Sequence, residues 1–255
     1  MNKEKINNIN IEVLKLNKDN KINIHEDIFN NYCPLIYISS MKHSGKTNLI
    51  YNILKYMAVK GKTNIYLFSK TAEQDETTQA YLKKLEKYKI RVLIYDDLEY
   101  KNNIQIGENY KNILDKIVDD IKNDNELNKD KIKRSKYSYC RNIIIFDDFS
   151  ELLKNKSLEA IMKKHRHYLT SIIISSQSYL DILPSQRQQI NYLILFKGIP
   201  LQKLKIIYEE KIKGITLEQF LNIYDNITSK PYTFMYINAD DPKDIRENFN
   251  TLIKI

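Results

Sequence analysis

The sequence predicts an α/β fold with a mostly parallel central sheet flanked by helices. Short apolar runs rich in β-branched residues recur at Leu35–Ser39, Asn64–Phe68, Arg91–Tyr95, Asn142–Phe146, Ser171–Ser175 and Tyr192–Phe196. Unbroken apolar runs are what strands buried on both faces look like. Most of these runs are followed by a helix-like or polar segment, the alternation that crossover connections between parallel strands require. The chain has 255 residues, a length at which roughly 70–75% of the unfolded surface can be buried in one core.

Taken in order, residues 1–31 are polar, with an alternation at Ile9, Ile11 and Val13 that predicts an edge strand. Leu35–Ser39 leads into Thr47–Val59, where Leu49, Ile50, Ile53, Leu54 and Met57 recur at helical spacing. Asn64–Phe68 precedes a helix around Gln79–Tyr88, and Arg91–Tyr95 precedes the amphipathic stretch Tyr110–Ile121. The interval Asn123–Tyr139, rich in Asp, Asn and Lys, reads as a mobile insertion. After Pro200 come two short helices, a strand-like Tyr232–Ile237 and a terminal segment Pro242–Ile255. No repeat or linker divides the chain. The expectation is one domain over 1–255, with a core at about 32–200, an N-terminal edge segment 1–31 and a C-terminal extension 201–255.

Hydrophobic residues make up 42% and charged residues 29% of the chain, the balance of a soluble globular protein. No apolar run approaches the length of a membrane span, and Met1–Lys5 leads into Asn-rich sequence rather than a secretory signal. Cys33 and Cys140 lie in no metal-binding spacing and read as two reduced thiols of an intracellular protein. The net charge of +9 favours an anionic partner. Because lysine far outnumbers arginine, AT-rich coding explains part of that charge.

The chemistry-bearing signal is Ser40-Met41-Lys42-His43-Ser44-Gly45-Lys46-Thr47. It ends in Gly-Lys-Thr, follows a strand and opens a helix, which is the context of a phosphate-binding P-loop, or Walker A. Backbone N–H groups of such a loop and the helix N-terminus make a cradle for phosphate. Lys46 would reach the β- and γ-phosphates of ATP, and the Thr47 hydroxyl would ligate Mg²⁺. Ser40 stands where the pattern asks for its first glycine. The bland alternative is an ordinary strand–helix turn.

Asn142–Phe146 ends in Asp147-Asp148, which reads as a Walker B strand. Asp147 would hold the Mg²⁺ shell, and Asp148 would orient and polarise the attacking water. A second acidic pair, Asp96-Asp97, follows Arg91–Tyr95 and competes for that role. Ser171–Ser175 is followed by Ser176-Gln177, where Gln177 fits a water-positioning sensor or a simple helix cap. The three motifs occur in the order expected of a P-loop NTPase of the additional-strand, RecA-like type. Among six arginines, Arg166 and Arg187 are the best placed for an arginine finger supplied to a neighbouring subunit, with Arg187 slightly preferred. A surface cation or a structural salt bridge is the alternative for each. His165 and His167 lack the partners zinc needs.

Together these residues resemble the genome-packaging ATPases of the FtsK–HerA superfamily, the type found in nucleocytoplasmic large DNA viruses and virophages. The resemblance rests on GKT at 45–47, IIIFDD at 143–148 and, most discriminatingly, the segment from Arg166 to Lys197. It departs from the family at Ser40 and at Asp148, where glutamate is usual. The resemblance implies an ATP-hydrolysing motor that drives double-stranded DNA into a capsid without reading its sequence. It also implies a homo-oligomeric ring and a capsid or portal-vertex partner, with no membrane. The location implied is inside the host cell, in the cytoplasm or a viral factory, or on the virion. The cluster Lys129, Lys131, Lys133, Arg134 and Lys136 would line a DNA channel or form a solvated loop. Two other readings stay open: a P-loop ATPase or kinase that does not act on DNA, and a non-hydrolysing nucleotide-binding structural module.

Overall fold

The computed structural model describes residues 2–5, 7, 28–29, 31, 33–97, 112–128, 141–149 and 153–254. All six predicted core strands form: β2 (Leu35–Ser39), β3 (Asn64–Phe68), β4 (Arg91–Tyr95), β5 (Asn142–Asp147), β6 (Thr170–Ser176) and β7 (Tyr192–Phe196). Four more strands join them: β1 (Asn2–Lys5), β8 (Phe234–Asn238), β9 (Ile245–Glu247) and β10 (Thr251–Lys254). The result is one ten-stranded sheet in the order β1-β10-β9-β8-β7-β2-β6-β5-β3-β4. The strands from β7 to β4 pair in parallel, and β8, β9, β10 and β1 extend the β7 edge with antiparallel pairing.

The apolar runs are continuous because the sheet is covered on both sides. Along β5, Ile144 and Phe146 face one core cluster, while Ile143 and Ile145 face the other. The first face is covered by α3 (Ile113–Leu127), α4 (Lys156–Lys164), and the two helices after Pro200, Leu201–Lys211 and Leu217–Ile227. The second is covered by α1 (Lys46–Met57), α2 (Glu76–Lys87) and the Ile28–Phe29 segment. With the single-turn α5 at Pro184–Arg187, the helices after Pro200 become α6 and α7. β4 is the outer edge strand, and it alone among the core strands has exposed side chains, Arg91 and Ile94.

Local sequence explains the helix ends. Asp75, Asn112, Asn155 and Thr216 each accept a hydrogen bond from a first-turn N–H of α2, α3, α4 and α7, satisfying donors the helix itself leaves free. Gln219 completes a reciprocal capping box with Thr216. Helix α1 has no such side-chain cap and no acid in its first turn.

Three expectations need adjustment. The segment read as an insertion from Asn123 is helical through Leu127, because the amphipathic face that begins at Ile113 continues; residues 129–140, with Lys129, Lys131, Lys133, Arg134 and Lys136, lie outside the described residues. The edge strand expected at Ile9, Ile11 and Val13 also lies outside them, and the described edge strand is Asn2–Lys5, paired with β10. The C-terminal extension is part of the main sheet: Phe234 pairs with Phe196 and Asn238 with Tyr192.

Phe146 is fully buried and stacks on Phe68 with ring centroids 4.8 Å apart, directly before Asp147. Phe146→Ala should lower the unfolding free energy by about 3–5 kcal/mol, since the sheet cannot collapse into the void. Urea unfolding of the two proteins checks this.

Candidate functional site

The strand order places three loop regions together. β6 runs between β2 and β5, so the carboxyl ends of all three lie side by side, with Ser39 opposite Ser176 and Asp147 opposite Ser175. Adjacent strands are about 4.8 Å apart, which puts the end of β5 about 10 Å from the end of β2. A lysine side chain spans much of that distance.

The Ser40–Thr47 segment turns sharply out of β2 and into α1. Ser40 is buried, and its N–H donates to the Ser176 carbonyl at 3.1 Å. The left-handed positions of the turn are His43, at φ 62°, and Gly45, at φ 91°. Ser40 is not among the residues with positive φ. Replacing glycine there therefore costs no backbone strain, and the missing first glycine is explained. Gly45 has a double constraint: besides its left-handed backbone, a Cβ added there would come within 3.2 Å of Tyr232 Cδ1.

Lys46 stands on the first turn of α1 and reaches across β6 to both acids. Its Nζ lies 3.6 Å from Asp147 Oδ1 and is in direct contact with an Asp148 carboxylate oxygen. Burial pushes the Asp147 carboxyl up from the ordinary range; the Lys46 ammonium pulls it back, and Asp148 adds to the rise. Asp148 is more open, follows the end of β5 with φ 51°, and anchors its N–H on the Ser175 carbonyl. A left-handed non-glycine residue at a strand end is backbone strain of the kind found at functional sites.

The surroundings are polar and incompletely satisfied. The buried hydroxyls of Ser39, Ser40 and Ser44 and the Asp147 Oδ1 have no hydrogen-bond partner among the described residues. Buried polar groups without partners are costly and uncommon, and these four belong to the end of β2, the loop after it and the end of β5. That arrangement suits an anion in the loop and a cation beside Asp147. The Thr47 hydroxyl and the Asp147 carboxylate supply the hard oxygen donors that Mg²⁺ prefers. Among the described residues no group of three or more His, Cys, Asp and Glu side chains could hold a metal ion by itself, so Mg²⁺ here would need the Thr47 hydroxyl and phosphate oxygens as further ligands. Gln177 is exposed directly after β6, the strand that lies between β2, which leads into the loop, and β5, which ends in Asp147.

The other candidates lie elsewhere. Asp96-Asp97 follows β4, at the far edge of the sheet and four strands from β2, about 19 Å away by strand spacing. Arg166 is exposed in the turn before β6, and Arg187 precedes β7, so both lie near the amino ends of the strands, away from Lys46. The preference for Arg187 as a free finger meets a contrary geometry. Its guanidinium is buried, donates from Nε and Nη2 to both Glu210 oxygens and from Nη1 to the Ile182 carbonyl, and lies over the Tyr179 ring. His165 is buried with Nδ1 2.7 Å from the Met162 carbonyl, and burial lowers its pKa; His167 is exposed. Tyr232, against Gly45, has no sequence signal of its own.

No protein-family model matches the sequence, and no curated protein is significantly similar to it. Solved structures are. The genome-packaging NTPase B204 of Sulfolobus turreted icosahedral virus 2, in complex with AMP, aligns over 86% of this chain and 98% of its own, with a TM-score of 0.56 and 18% identity. The pCW3 conjugation coupling protein TcpA, with ATPγS, aligns over 83% of this chain and 59% of its own at a TM-score of 0.52 and 12% identity. The cytoplasmic domain of the Type VII secretion ATPase EccC from Thermomonospora curvata aligns over 82% of this chain and 24% of its own, at 0.52 and 14%. The shared fold is that of P-loop NTPases: a mostly parallel core sheet, flanked by helices, with an additional strand between β2 and β5.

Gly45→Ala should abolish nucleotide binding in a calorimetric titration while leaving the protein folded, because the left-handed turn cannot accept a side chain there without moving Tyr232. Arg187→Ala should cost roughly 2 kcal/mol of stability by thermal or urea unfolding, the loss of charged hydrogen bonds to Glu210.

Proposed function

We propose that this chain is an ATP-hydrolysing DNA translocase of the FtsK–HerA type that packages double-stranded viral DNA. The observation that carries the reading is the convergence of Lys46 with Asp147 and Asp148 across β6. The shared fold with a viral genome-packaging NTPase over most of both chains supports it.

In the structure the Lys46 ammonium is neutralised by two carboxylates. A triphosphate entering the loop offers that ammonium a better partner. Lys46 moves to the β- and γ-phosphates while the loop N–H groups and the start of α1 hold the phosphate chain. The two carboxylates are then released for separate tasks. Thr47 and Asp147 would hold Mg²⁺, which when bound neutralises charge between the β- and γ-phosphates. Asp148, more exposed than Asp147, accepts a hydrogen bond from water and orients it toward the γ-phosphate. Gln177 positions the same water from the end of β6. An aspartate has a shorter reach than the glutamate usual at the position of Asp148, which favours a slow rate.

Hydrolysis is coupled to DNA through a homo-oligomeric ring, in which an arginine from the neighbouring subunit completes the site. Exposed Arg166 is favoured over Arg187, which Glu210 already holds. The net charge of +9 suits contact with the DNA backbone, which needs no base reading. A capsid or portal-vertex protein is the proposed docking partner. The proposed location is inside the infected cell or on the virion. No described helix is long and apolar enough to cross a membrane.

Duplex DNA should stimulate ATP hydrolysis, and the stimulation should fall steeply between low and moderate salt. Asp148→Asn and Lys46→Ala should each reduce turnover at least a hundredfold. Hydrolysis without DNA stimulation would assign the chain to a different P-loop enzyme; nucleotide binding without hydrolysis would make it a structural module. Arg166→Ala protein mixed into wild type should depress turnover more than its share of subunits, whereas unchanged turnover per wild-type subunit would remove Arg166 as the finger.

A further inference from the structure

The Ser40–Thr47 loop has two chemically different sides. On the β5 and β6 side stand the two carboxylates and Gln177. On the β7 and β8 side large apolar side chains stand exposed among the lysines Lys42, Lys197 and Lys230. Five large apolar side chains are exposed among the described residues, and three of them, Met41, Leu201 and Tyr232, belong to this end of the sheet. Their clustering beside one loop distinguishes them from apolar residues scattered singly over a surface.

Two contacts tie this patch to the loop. A Cβ on Gly45 would meet Tyr232 Cδ1 at 3.2 Å, and a Cβ on Gly198, just past the end of β7, would meet Met41 Cγ at 3.0 Å. The Tyr232 ring thus lies in van der Waals reach of the residue preceding Lys46, although 74% of Tyr232 is exposed. Its backbone is left-handed, at φ 60°, and it leads into β8, where Phe234 pairs with Phe196 of β7. A bulky aromatic residue rarely adopts that conformation, and such outliers persist where the surrounding structure enforces them. No burial of the ring repays the strain.

We infer that Tyr232, with Met41, forms the subsite for the base of the nucleotide whose phosphates occupy the loop. This rests on the proposed phosphate site. The terminal phosphate and its cation belong on the side of Asp147 and Asp148, so the nucleoside must leave toward the opposite side. There it meets an exposed aromatic ring and a thioether, groups that favour a flat π-system. A ring face and a thioether contact a base through its flat surface and not its edge, so the subsite holds a base by stacking without separating adenine from guanine.

Wild-type protein and Tyr232→Ala are titrated calorimetrically with ATPγS and with inorganic tripolyphosphate, both with Mg²⁺. Loss of a stacking partner should weaken ATPγS about tenfold and leave tripolyphosphate unchanged, and Tyr232→Phe should restore ATPγS binding. The chain contains no tryptophan, so Tyr232→Trp creates a single indole whose emission ATPγS should quench and tripolyphosphate should not. Equal weakening of both ligands in Tyr232→Ala would show that the ring only supports the Gly45 turn, and would overturn the proposal. Unchanged ATPγS affinity would overturn it as well. Wild-type protein that binds neither ligand would instead refute the phosphate site, and this subsite with it.

Discussion

One ammonium facing two carboxylates across an intervening strand is the constraint on which the rest of the structure depends. Lys46 is near Asp147 and Asp148 because β6 separates β2 from β5 by a single strand width on each side. The three charges leave one unit of negative charge in a partly buried place. Such a cluster is poor at stabilising a fold, because desolvation consumes most of the attraction. In the function proposed above its value would lie in exchange, with an incoming polyphosphate competing for the lysine and freeing the acids. The buried hydroxyls of Ser39, Ser40 and Ser44, which have no partner among the described residues, are compatible with that proposal.

Left-handed non-glycine residues occur at both ends of the strands, with Cys33, Lys89 and Leu169 preceding β2, β4 and β6. His43, Gly45, Asp148 and Tyr232 are all left-handed and lie around the loop. At the other end, Arg187 is locked between Glu210, the Ile182 carbonyl and the Tyr179 ring, and Lys211 donates to the Ile190 carbonyl at 2.9 Å. Burial lowers the Lys211 ammonium to about 8. These bonds fasten the end of α6 to the segment that leads into β7. A site that must rearrange needs such a frame behind it.

Much of this was legible in the residues. Six continuous apolar runs pointed to strands of a buried parallel sheet, and all six formed, although the edge strand β4 is open to solvent at Arg91 and Ile94. The loop ending in Gly45-Lys46-Thr47 lies between a strand and a helix, as its pattern requires. Arg187 was less legible, because a motif position does not reveal that Glu210, on another helix, neutralises it. Tyr232–Ile237 was legible as a strand, and only its pairing with β7 shows that it extends the same sheet.

Periodicity and motif order by themselves determined the fold class and the strand–loop–helix setting of Gly45-Lys46-Thr47, because hydrophobic patterning and turn chemistry act over a few neighbouring residues. Which acidic pair faces Lys46, whether Ser40 needs to be glycine, where Arg187 spends its charge and why Tyr232 stands beside Gly45 were decided only by the tertiary structure. Each of these depends on strand order, which brings together residues far apart in the chain through backbone hydrogen bonds that carry no side-chain signature.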